Sequence, residues 1–85
     1  MNKNRIALIT GVAGQNGSFL SELLLDKGYV VHGIIRRTSI TYREHIAHLE
    51  GHPNFHLHYA DLGDATSIMN VISNIRPQEI YNLAA

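Results

Sequence analysis

Three glycines, Gly11, Gly14 and Gly17, recur at every third residue between an apolar run and an amphipathic one. Glycines at such a junction have separate tasks. The first permits a tight turn out of a strand. The second removes a side chain where backbone must approach a pyrophosphate, and the third lets a helix pack closely on a sheet. A helix starting there presents unpaired amides and a partial positive charge to phosphate oxygens. The stretch Thr10-Gly11-Val12-Ala13-Gly14-Gln15-Asn16-Gly17 therefore reads as a phosphate-binding turn. Gly11, Val12, Ala13, Gly14, Gln15, Asn16 and Gly17 are its expected cofactor contacts. The spacing is one residue longer than the most familiar dinucleotide fingerprint, so its meaning comes from the strand-turn-helix setting. No Gly-Lys-Ser/Thr follows, which disfavours a P-loop.

A second cluster is Arg36-Arg37, about 20 residues beyond the turn. At that point of a dinucleotide-binding unit an acidic residue holds the ribose 2′-hydroxyl of NAD, whereas arginine accepts the 2′-phosphate of NADP. A guanidinium can donate two hydrogen bonds to that phosphate. Arg36 and Arg37 thus point to NADP, with a solvated surface pair as the alternative. Asp61-Leu62 could meet adenine, the carboxylate accepting from the amino group, or could simply start a helix. Leu83, Ala84 and Ala85 close the last apolar run, where small residues let a cofactor lie near backbone.

Other residue types offer less. His45, His48 and His52 could share a helical face, and His56 and His58 one face of a strand. No cysteine or carboxylate pattern completes a metal site, so these imidazoles read as packed or solvated. Ser18 and Ser39 have no evident base partner, which leaves nucleophilic catalysis unsupported.

The elements that must position these residues alternate. Arg5–Thr10 is a short, nearly continuous apolar run, as expected of a strand buried on both faces. Phe19, Leu20, Leu23 and Leu24 suggest the inward face of a helix that ends at Asp26-Lys27-Gly28. Tyr29–Ile35 predicts a second strand, Glu44–Glu50 a short helix with Ile46 and Leu49 inward, and Phe55–Tyr59 a third strand. Ile68, Val71, Ile72 and Ile75 mark another helix, with Asp64 as its expected N-cap and Pro77 beyond its end. Glu79–Leu83 predicts the fourth strand. The order β-α-β-α-β-α-β forces parallel pairing. The expected fold is the N-terminal half of a Rossmann-type doubly wound α/β sheet: a single partial NAD(P)-binding domain over residues 1–85, expected to be truncated after its fourth strand.

The bulk composition agrees. Hydrophobic residues make up 45% of the chain, too many for a disordered tail. Seven basic side chains balance seven acidic ones, so the basic excess of a nucleic-acid or anionic-membrane binder is missing. No apolar run approaches the ~20 residues of a membrane span. The start, Met1 to Arg5, does not read as a signal peptide, and a cytoplasmic location is expected.

Taken together, the glycine turn, Gly28 to Gly33, Arg36-Arg37, the run Phe55 to Leu62 and the segment Pro77 to Leu83 resemble the extended short-chain dehydrogenase/reductases. Within that superfamily they resemble the GDP-mannose 4,6-dehydratase family most, over nearly the whole chain. Asn16 stands where that family usually has aspartate, and the loop from Thr38 to Gly51 is shorter than usual. The resemblance implies an NADP-dependent lyase that converts GDP-mannose to GDP-4-keto-6-deoxymannose, homo-oligomeric at full length. Its catalytic Thr/Ser, glutamate and Tyr-x-x-x-Lys pair would lie beyond the fourth strand. No lysine stands four residues after Tyr81, so no residue here is assigned a catalytic role, and the 85-residue chain alone is expected to lack catalysis. Two alternatives stay open: another NADP-dependent sugar-nucleotide epimerase or reductase, and a non-catalytic module binding a nucleotide or a partner.

Overall fold

In the computed structural model, which describes residues 5–35, 46–60 and 65–83, four parallel strands form one sheet. They are β1 (Ile6–Thr10), β2 (Val30–Ile35), β3 (Phe55–Tyr59) and β4 (Glu79–Asn82), in spatial order β3-β2-β1-β4. Helix α1 (Gln15–Asp26) joins β1 to β2, and α2 (Ala65–Ile75) precedes β4. The chain runs outward from β1 through β2 to β3 and then returns to the far side of β1. Right-handed crossovers in opposite directions must pass over opposite faces of a sheet. Accordingly α1 packs on one face with Ala7, Ile9, Val31, Ile35 and Phe55, and α2 on the other with Leu8, Ile34 and Ala60.

The expected elements form, with small shifts at their ends. Ala7, Leu8 and Ile9 of β1 are fully buried, as a strand covered on both faces requires. Tyr29 lies outside β2 because its amide caps α1. The Tyr29 N–H donates to Leu24 O at 3.0 Å and the Gly28 N–H to Leu25 O at 3.0 Å, with Gly28 at φ 90°. This double closure ends the helix in a left-handed residue, which favours glycine. Between β2 and β3 only one 3-10 turn is present among the described residues, Ala47–Leu49. Ile46 and Leu49 are buried as expected, and their spacing of three matches the 3-10 period. Glu44 and His45 lie outside the described residues, as does the expected cap Asp64.

Helix α1 corrects one expectation. Its buried residues are Gly17, Ser21, Leu24 and Leu25, with Leu20 partly packed, whereas Phe19 is 69% and Leu23 52% exposed. The helix turns its small residues to the sheet. Ser21 satisfies its buried hydroxyl by donating to Gly17 O at 2.8 Å. Gly17 and Ser21 admit a close approach that Phe19 would prevent. Helix α2 follows its predicted stripe: Ile68, Val71, Ile72 and Ile75 pack on Leu8, Ile34 and Ala60.

At the amino end of the sheet, Glu79 gathers three donors. The Tyr29 and Tyr81 hydroxyls donate to it at 2.9 Å and 2.6 Å, and Arg5 at 3.2 Å. Hydrogen bonds from Tyr81 and then Tyr29 hold its carboxyl below the usual glutamate range, and the same bonds raise both phenols. This cluster ties edge strand β4 to the starts of β1 and β2.

Because α1 presents Leu24 inward and Leu23 outward, the two leucines should behave differently. Leu24→Ala should cost about 2–4 kcal/mol in chemical denaturation, whereas Leu23→Ala should stay within about 0.5 kcal/mol. Equal losses would contradict the observed rotation of the helix.

Candidate functional site

The strand order places a topological switch point between β1 and β4, where the chain direction across the sheet reverses. In open parallel sheets ligands bind outside the carboxyl ends of the strands at such a point. The glycine turn leaves β1 there. Gly11 has φ 70°, a left-handed backbone that favours glycine. The Gly11 and Val12 amides both donate to Ile34 O, at 3.2 Å and 3.3 Å, so the turn is fastened to β2 as well.

Val12 is the anchor. Its side chain is fully buried and occupies the space above Gly33 of β2, where a Cβ would come within 2.6 Å of Val12 Cγ1. From the helix side, a Cβ on Gly17 would come within 2.5 Å of Val12 O. Val12 is thus clamped between two glycines. The third glycine of the motif acts as expected, while Gly33 is a seat that the sequence did not reveal. Gly14 differs: a Cβ there would meet only Gly11 O, at 3.6 Å. Among the described residues, no atom demands a glycine at 14.

The motif therefore divides. Val12, Ala13 and Gly17 are buried, leaving mainly backbone for a ligand, whereas Gly14, Gln15 and Asn16 form an exposed crest. Gly14 is the N-cap of α1 and supplies no capping side chain, and the first turn carries no acidic residue. The first helical bond runs from the Ser18 N–H to Gly14 O at 3.0 Å. The amides of Gln15, Asn16 and Gly17 precede it and have no carbonyl partner within the helix. Together with the positive end of the helix dipole, they suit an anion. A depression lined by Phe19, Glu22, Leu23 and Asp26 lies on the outer side of α1 and includes no turn residue.

At the carboxyl ends of β1 and β4, the Thr10 hydroxyl donates to Asn82 Oδ1 at 2.6 Å, and the Leu83 N–H to Thr10 O at 3.1 Å. Leu83 is 40% exposed, beside the start of the turn. The Thr10–Asn82 bond was not foreseen. Its only sequence signal is a polar residue at the end of each of two apolar runs. Arg36, Arg37, Asp61, Leu62, Ala84 and Ala85 lie outside the described residues. Their predecessors Ile35, Ala60 and Leu83 are described, and the Ala60 N–H donates to Ile35 O at 3.2 Å, which aligns the ends of β2 and β3.

The chain matches a family model described as GDP-mannose 4,6 dehydratase over residues 8–85. It is 51% identical to a GDP-mannose 4,6 dehydratase 2 of Caenorhabditis elegans, with 98% of this chain and 24% of that protein aligned. It is 50% identical to the human GDP-mannose 4,6 dehydratase, with 100% of this chain and 25% of that protein aligned. The chain thus spans about a quarter of the length of these curated relatives. Among solved structures, the Bordetella bronchiseptica enzyme WbmH in complex with NAD+ is similar at TM-score 0.83 and 32% identity, covering 98% of this chain and 27% of that one. The epimerase Mth375 of Methanothermobacter thermautotrophicus is similar at TM-score 0.81 and 28% identity, covering 98% of this chain and 23% of that one.

The clamp predicts unequal roles for the glycines. Gly17→Ala and Gly33→Ala should each cost about 1–3 kcal/mol in chemical denaturation, because Val12 has nowhere to move. Gly14→Ala should cost at most about 1 kcal/mol, the loss of a glycine N-cap. A costly Gly14→Ala would show that the crest is constrained by the protein itself.

Proposed function

Since the chain belongs to the GDP-mannose 4,6-dehydratase family, we propose that it forms the NADP-binding front of a dehydratase that converts GDP-mannose to GDP-4-keto-6-deoxymannose. The observation that carries this reading is the uncapped start of α1, held at the switch point by a turn whose exposed crest lacks a side chain at Gly14. The residues present fit a dinucleotide. The amides at Gln15, Asn16 and Gly17 hold the pyrophosphate, and Gly14 gives it room. The bond from Thr10 to Asn82 fixes the end of β4, and Leu83, Ala84 and Ala85, next in the chain, would meet the cofactor in this reading. Arg36 and Arg37 follow β2 directly and would bind the 2′-phosphate, and Asp61 with Leu62 would meet adenine. When bound, NADP would supply a reversible hydride acceptor for oxidation at C4 of the hexose and reduction at C6, either side of the loss of water across C5 and C6. No residue of this chain is assigned to those proton transfers. The acid-base groups would belong to the remainder of a longer protein, cytoplasmic and homo-oligomeric in this reading, and the 85-residue chain alone would lack turnover.

The similarity to an epimerase keeps a second reading in view: the same front on another nucleotide-sugar enzyme. A full-length protein that opens with this chain should convert GDP-mannose to the 4-keto-6-deoxy product. Turnover of another nucleotide sugar, with none of GDP-mannose, would shift the assignment to that second reading. In the same protein NADP should bind more tightly than NAD, and Arg36→Ala should reduce that preference roughly tenfold to a hundredfold. Equal affinities before substitution would refute the 2′-phosphate role. Gly14→Ala should weaken both cofactors together.

A further inference from the structure

The sheet face covered by α2 also carries a stack of imidazoles. His32 of β2 pairs in register with His56 of β3, and His58, two residues on, shares that face. The His32 ring lies 4.8 Å from that of His56 and 5.1 Å from that of His58, each pair 22° from parallel. His32 Nδ1 and His58 Nε2 are 2.9 Å apart, so one nitrogen donates its N–H to the lone pair of the other. Among the described residues, no group of three metal-ligating side chains is arranged to hold an ion.

The stack is part-buried: His32 and His58 are half-buried and His56 is exposed. Leu8 of β1 and Ile34 of β2 share its face, and α2 packs there through Ile68, Val71, Ile72 and Ile75. Helix α2 contains no ionisable residue, and Glu79 of β4 is engaged by Arg5, Tyr29 and Tyr81. Among the described residues, the charged groups acting on His32 are His56 and His58, both of which oppose its protonation. Burial, then His56 and His58, hold His32 down at about 4, and burial, then His56, lowers His58 as well.

We propose that the His32–His56–His58 stack is an acid-sensitive seam that fastens edge strand β3 to β2 while the rings are neutral and releases β3 when they are protonated. The geometry supplies the reason. An imidazole that accepts a hydrogen bond must keep a free lone pair. A first proton leaves an imidazolium that can still donate to its neutral neighbour; a second takes the last lone pair between His32 Nδ1 and His58 Nε2, ends their bond and sets two cations side by side. Among the described residues strand β3 lies at one sheet edge and pairs only with β2, so it can leave without breaking another strand pairing.

The direction of the pH effect follows from linkage. His32 has a lower pKa folded than unfolded, so its contribution is complete above about 6.5 and is lost as pH falls toward about 4. Because the ring is partly exposed, the share traceable to His32 should be about tenfold in the opening equilibrium of β3. The test is NMR on the 85-residue chain, following the imidazole signals and native-state amide exchange from pH 7 to pH 4.5. Corrected for intrinsic rates, β3 amides should open about tenfold more readily on acidification while β1 amides do not. His32→Phe keeps a stacking ring without a proton site and should abolish this difference. The proposal is overturned if His32 titrates in the ordinary histidine range, if β1 and β3 open together, or if His32→Phe retains the acid response. Should His32→Phe weaken the sheet, His58→Gln serves instead, and retained acid sensitivity there is equally decisive. The imidazole titration of the unaltered protein stands on its own in either case.

Discussion

The placement of the glycine turn depends on one steric contact, the burial of Val12 between Gly17 and Gly33. A packed interior cannot shift by a methyl group without cost. Val12 therefore sets three things at once: where the turn crosses β2, how close the start of α1 comes to the sheet, and which side of α1 faces inward. The bond pair from Gly11 and Val12 to Ile34 O holds the backbone of the same residues. Together these contacts bring the amino end of a helix to the carboxyl end of β1 and leave its first amides pointing away from the core. An anion site made of backbone needs that rigidity, because amides held in place need no rearrangement when a ligand arrives.

Polar side chains are distributed between the two ends of the sheet in a way that matches this division of labour. At the amino end, Glu79 with its two tyrosines and Arg5 forms a closed set of hydrogen bonds that stabilises the edge strand β4. At the carboxyl end, among the described residues, the Thr10 hydroxyl bond to Asn82 and the Leu83 N–H bond to Thr10 O align β1 and β4. The exposed Phe19 and Leu23 show a further consequence of the clamp, since the rotation that seats Gly17 and Ser21 turns those two side chains outward.

Much of this was legible in the residues. The alternation of apolar strands with helical stripes fixed the element order, and Ile68, Val71, Ile72 and Ile75 pack as their spacing predicts. The exit of α1 through Lys27 and Gly28 followed from cap chemistry. These features are local, decided within a few residues by periodicity and backbone preference. The inward face of α1 was misread for a physical reason. Apolar spacing alone favoured Phe19 and Leu23, but the sheet selected the face with the smallest side chains. A glycine contributes nothing to a hydrophobic pattern, yet it allows the closest approach.

By itself, the sequence determined a parallel α/β sheet, a glycine turn at the end of the first strand, and the resemblance that names the family. Only the tertiary structure decided which distant residues meet. Thr10 and Asn82 are 72 residues apart in the chain, and His32 and His58 are 26 apart. Their contacts depend on strand order and register, which emerge when whole elements pack and which no local pattern encodes. The seat of Val12 over Gly33 is of the same kind. A missing side chain on one strand acquires meaning only when another segment is folded against it.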